Sequence, residues 1–136
     1  MANKQLDKET LNKMLFSASL MSAIDGHFDK TERGICTDFL LKNWRTEFGD
    51  AKEFFTEILN NVRSLLKSGH EMYDKINEIT SELALNLTES QKEALINLVE
   101  TVMMADGKIL LREADLLNRF RKKLEDPNLI NLTDII

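Results

Sequence analysis

Apolar positions along this chain recur at helical spacing nearly from end to end. Leu11, Met14, Leu15, Ala18 and the small Ser22 are linked by steps of three and four residues that mark one face of a helix. Leu95, Leu98, Val99 and Val102 repeat that pattern further on. Between them Phe54, Phe55, Ile58, Leu59, Val62, Leu65 and Leu66 form one stripe, and Met72, Ile76, Ile79, Leu83 and Leu87 another. Beyond the first stripe, Phe28, Ile35, Cys36, Phe39 and Leu40 line up with Glu32. Beyond the last, Ile109, Leu116, Leu117, Phe120 and Leu124 do the same with Glu113. The chain shows no alternating strand pattern and no linker. The expectation is an all-α, single-domain bundle of about six helices spanning residues 1–136.

Boundary signals divide the pattern. The first helix runs from about Asp7 to Asp25, where Gly26 supplies a left-handed stop. The second opens on Asp29-x-x-Glu32 and is expected to reach Gly49. Asp50-x-x-Glu53, Ser68-x-x-Glu71 and Thr88-x-x-Gln91 open the third, fourth and fifth, each with the spacing of a capping box. Gly107 closes the fifth helix. The sixth runs from about Leu111 to Glu125, before Pro127, and the tail 128–136 is apolar enough to pack back as a strap.

One stretch occurs twice. Asp25-Gly26-x-Phe28-x-x-x-Glu32 and Asp106-Gly107-x-Ile109-x-x-x-Glu113 both read D-G-x-apolar-x-x-x-E at an offset of 81 residues, which Phe39 and Phe120 share. This is the mark of a duplicated helix–turn–helix. Residues 50–87 have no copy and read as a spacer. Two such units related by a pseudo-two-fold axis would bring both turns to one end of the molecule. Asp25, Glu32, Asp106 and Glu113 each continue a core-facing stripe. Carboxylates placed there need a cation, strong hydrogen bonds or a proton.

The spacing invites comparison with an EF-hand loop, in which Asp25 would be the third acid and Glu32 the last ligand. The first two ligand positions would be Met21 and Ala23, and in the copy Val102 and Met104. None has a carboxylate, so the EF-hand route is rejected. Local chemistry offers an alternative: Asp before Gly accepts backbone amides across its turn, and Glu at the third helical position folds back on its own cap. Lys30, Arg33, Lys108 or Arg112 would also serve as counter-ions. In the second copy Leu110 replaces the capping Asp29, so that capping box is broken.

The two turns, with Ala23-Ile24-Asp25-Gly26 and Met104-Ala105-Asp106-Gly107, resemble the TerB-like (tellurite-resistance protein B) family, over most of the chain. The resemblance implies a small cytoplasmic helical protein of stress responses, without catalysis, that assembles protein partners. It also implies kinship with a domain attached to membrane-anchored DnaJ-like co-chaperones, which would make a partner membrane-associated. The implied metal cluster is Asp25, Glu32, Asp106 and Glu113. Their hard oxygen ligands suit calcium or magnesium better than zinc.

Composition narrows the field. A net charge of −5 argues against nucleic acid. Arg119, Arg121, Lys122 and Lys123 read as the solvated last turns of a helix, where cations suit the dipole. The single Cys36 excludes an internal disulfide, fits a reducing compartment and reads as core packing, since no His shares its face. The start of the chain does not read as a signal peptide, and no apolar run reaches the roughly 20 residues of a membrane span. His27 is a candidate extra ligand, whereas His70 reads as solvated. Leu41, Trp44 and Phe48 form a second strip, which either meets the third or fourth helix or marks a partner or homodimer interface. Two further function classes are a constitutive adaptor whose acids only shape turns, and a metal-dependent hydrolase, which would need an open coordination position.

Overall fold

A computed structural model describes residues 6–23, 30–67, 71–105 and 111–125, except the side chains of Met72, Tyr73, Leu111, Arg112 and Glu113. Among the described residues six α-helices follow one another: α1 (Lys8–Ala23), α2 (Lys30–Asn43), α3 (Ala51–Leu66), α4 (Glu71–Asn86), α5 (Glu89–Met103) and α6 (Leu111–Glu125). A 3-10 turn, Thr46–Phe48, sits between α2 and α3. Among the described residues there is no strand, and no helix is long and apolar enough to cross a membrane.

α1, α3 and α5 start where side chains can take up the free amides of a first turn. Asp7 Oδ1 accepts from Thr10 N at 2.7 Å. Asp50 Oδ1 accepts from Lys52 N at 2.8 Å and Glu53 N at 3.2 Å. Thr88 and Gln91 complete a reciprocal box: Gln91 N donates to Thr88 Oγ1 at 3.1 Å, and Thr88 N donates to Gln91 Oε1 at 2.9 Å. Each bond satisfies a donor that the helix itself leaves open. Ser68, Asp29 and the Gly26 and Gly107 stops lie outside the described residues, as does the 128–136 tail.

The second helix is shorter than its expected reach to Gly49. It ends at Asn43, whose Nδ2 donates to Phe39 O at 2.8 Å, and Arg45 is extended at φ −114°, ψ 144°. The break lets Trp44 turn inward. Its ring lies 5.3 Å from Phe48 edge-on and 5.0 Å from Phe54 of α3, and its indole N–H donates to Gly49 O at 3.1 Å. An aromatic cluster that also satisfies the indole outweighs another turn of helix. Gly49 makes the corner at φ +99°, ψ −141°, which side chains avoid. The expected Leu41–Trp44–Phe48 strip is thus divided: Trp44 and Phe48 meet α3, and Leu41 stays 59% exposed.

α1 is the middle of the bundle. Every residue from Met14 to Ala23 is buried, including Ser17 and Ser19 on the sides away from the Leu11–Met14–Ala18 stripe. It packs against α2, α3, α4 and α5. α5 also meets α2, and α6 closes the bundle against α4 and α5. The paired units keep their internal contacts, α1 with α2 and α5 with α6, and α1 lies on α5 between them. Their flanks differ, since α2 leans on α5 and α6 on α4. Lys13 of α1 ties the far side, with Nζ 2.7 Å from Glu82 of α4 and 3.4 Å from Glu9.

Two substitutions test this description by chemical denaturation. Gly49→Ala should lower stability by about 1–3 kcal/mol, because the new side chain is forced into a disfavoured backbone region. Leu85→Gln, at a position 77% exposed, should change stability by less than about 0.5 kcal/mol. The reverse order would contradict both the 3-10 corner and the outward face of α4.

Candidate functional site

Of the four acids expected to form a site, one can be followed as a side chain. Glu32 lies in the first turn of α2 and is 4% exposed. Cys36 and Leu40, one and two turns on along the same face, are buried with it. The stripe that predicts Glu32 facing the core therefore leads to a carboxylate inside the fold. It is held there by interactions of its own, as a carboxylate withdrawn from water must be. Asp25 and Asp106 lie outside the described residues, and so do His27 and His70. Glu113 falls in the first turn of α6, with its side chain outside the description.

The helices that lead into the two turns are in direct contact. α1 ends at Ala23 and α5 at Met103, and the two pack along one another. Met104 and Ala105 continue α5 as a turn, with Met104 N donating to Glu100 O at 3.0 Å and Ala105 N to Val102 O at 3.3 Å. Among the described residues, no three His, Cys, Asp or Glu side chains form a group that could hold a metal ion. Three of the four acids are not among those side chains.

Cys36 packs in the core as expected. Its thiol is fully buried, 3.9 Å from the Ser19 hydroxyl of α1. Burial pushes its pKa up from 9.0 to about 12, with the Ser19 contact acting weakly in the other direction. A nucleophile needs the thiolate, so this thiol is chemically quiet.

The basic run of α6 departs from its solvated reading. Arg121 and Lys122 are exposed, and Arg121 reaches Glu100 of α5 at 3.3 Å. Arg119 and Lys123 are 8% and 2% exposed. Arg119 pairs with Asp115 at 2.7 Å. The reason is register: positions 119 and 123 lie beside Leu116, Phe120 and Leu124 on the buried side of the helix. Reading the four cations as one cluster hides this, whereas placing each on the helical repeat separates them into two inward and two outward. Their long aliphatic stems suit a partly apolar setting.

Comparison with protein-family models, with curated proteins and with solved structures finds no match to this chain.

The raised Cys36 pKa has two consequences. Near pH 8, alkylation of the native thiol should be slower than that of the urea-unfolded chain by about three orders of magnitude, the thiolate deficit of three pKa units. Because the folded state holds its proton longer, Cys36 favours folding below pH 9.0 and loses that contribution as pH rises towards about 12. Cys36→Ala should flatten the alkaline fall in stability measured by urea titration. Equal alkylation rates would place the thiol at the surface.

Proposed function

We propose that this chain is a non-enzymatic TerB-like module. In it Asp25, Glu32, Asp106 and Glu113 share a divalent cation, calcium or magnesium, and so set the surface offered to a protein partner. The observation that carries this reading is the doubled D-G-x-apolar-x-x-x-E turn, together with the burial of Glu32, the acid whose side chain can be followed. Contact between α1 and α5 supports it, since these helices lead into the two turns. An ion drawing ligands from both turns would lock the two helix pairs together. Stress response, a cytoplasmic setting and a membrane-associated partner belong to the same proposal and rest on the family resemblance.

A second reading is favoured by a different observation. Asp7 and Asp50 spend their carboxylates on the backbone amides of their own helices, at 2.7 and 2.8 Å. If the turn acids do likewise, the protein is a constitutive adaptor whose acids only shape its corners. Hydrolysis would need a substrate pocket beside an open metal position, and no observation favours that alternative.

Thermal unfolding in the presence of calcium or magnesium distinguishes the two readings. With metal in about hundredfold excess over its Kd, Tm should rise by about 5 °C or more. Combining Asp25→Asn with Asp106→Asn should abolish the rise while the variant still unfolds cooperatively. An unchanged Tm at millimolar metal would leave the adaptor reading.

A further inference from the structure

At the start of α1 the surface opens into a groove of about 630 Å³ between α1 and the beginning of α3. Its lining on α1 ends at Lys13, and α1 runs on from there to Ala23, roughly 15 Å along the helix. The floor is formed by Phe48 and Phe54, both held by Trp44. Around it stand four acids, Glu9, Asp50, Glu53 and Glu57, and two lysines, Lys8 and Lys13. A second hollow of about 520 Å³ continues past α3 and shares Asp50, Glu53 and Glu57 with the first.

Two features of the groove point to one kind of occupant. Its aromatic cluster already carries cations from the chain itself: Lys8 Nζ lies 5.8 Å from the centre of the Phe54 ring, and the Arg45 guanidinium 4.6 Å from that of Phe48. Ring faces attract such groups through their quadrupole. The acids, in turn, are unevenly matched. Glu9 is paired with Lys13, and Asp50 caps α3. Glu53 and Glu57 form no ion pair among the described residues, although they stand one turn apart on the same helix face, where like charges repel. A cation lying between them and the Phe54 face would relieve that repulsion.

We propose that this groove docks a lysine- or arginine-bearing segment of a protein partner. One cationic side chain lies over Phe54 between Glu53 and Glu57, displacing Lys8, which holds the place in the free protein. The idea is independent of the turn acids and of any metal. It gives the acidic chain, at net charge −5, a defined place to meet a basic surface.

The full chain, labelled for NMR and titrated with an unstructured lysine-rich peptide, provides the test. Shifts should concentrate on the Trp44 indole and the first turns of α3 and α1, and a glutamate-rich peptide should cause none. Glu53→Gln combined with Glu57→Gln should weaken binding about fivefold or more at low salt. Lys8→Gln should strengthen it about threefold, because the internal competitor is gone. All three substitutions lie on the surface, so their folds can be verified by the same spectra. No binding, shifts spread over the whole surface, an unaffected Glu53/Glu57 variant, or weaker binding by Lys8→Gln would each overturn the proposal.

Discussion

Everything in this fold depends on covering α1. From Met14 to Ile24 the sequence holds no charged residue, and the helix through Ala23 is buried on all sides. Such a helix cannot lie on a surface; other elements must surround it. α2, α3, α4 and α5 do so, which leaves α6 to finish the bundle against α4 and α5. The packing has a chemical consequence at each end of α1. Its start, with Lys8 and Lys13, meets the acids of α3 and α4. At its finish, Ala23 is buried and α1 packs on α2, whose first turn carries the buried Glu32.

Charges inside the described core are few, and each lies at the margin of an apolar stripe. Glu32 continues the Cys36–Leu40 face of α2, and Arg119 and Lys123 flank Phe120 and Leu124 on α6. Ordinary surface ion pairs such as Lys92–Glu89 are worth little. A buried carboxylate is different, because removing its partner leaves an uncompensated charge in low dielectric. That asymmetry sets Glu32 apart from the more numerous exposed acids.

Much of this architecture is legible in the sequence because it rests on local signals. Asp50, Thr88 and Gln91 announce the starts of α3 and α5, and Leu111 to Glu125 is α6 as read. The α5 stripe and the described α4 stripe, Ile76, Ile79, Leu83 and Leu87, fill the core as expected; on α3, Phe54, Phe55, Ile58 and Val62 do so, while Leu59 and Leu65 are half-buried and Leu66 is exposed. What escapes a local reading is tertiary. The early end of α2 comes from Trp44 reaching Phe54, a residue of another helix. Burial of both sides of α1 comes from four neighbours, and only the lack of charge between Lys13 and Asp25 hints at it. The basic residues of α6 separate once the helical repeat is applied to each in turn. For the site, periodicity places Glu32 inward, as found, whereas the separation of two turns 81 residues apart is not something a local pattern encodes.

The central claim is that the two D-G turns are neighbours. Spin labels attached at His27→Cys and Lys108→Cys, in a Cys36→Ala background, would measure their separation by dipolar spectroscopy. The account predicts a narrow distribution centred below about 20 Å, well short of the ~35 Å across a globule of this length. A distribution near the full width of the molecule would put the turns at opposite poles, and a shared site for Asp25, Glu32, Asp106 and Glu113 would be ruled out.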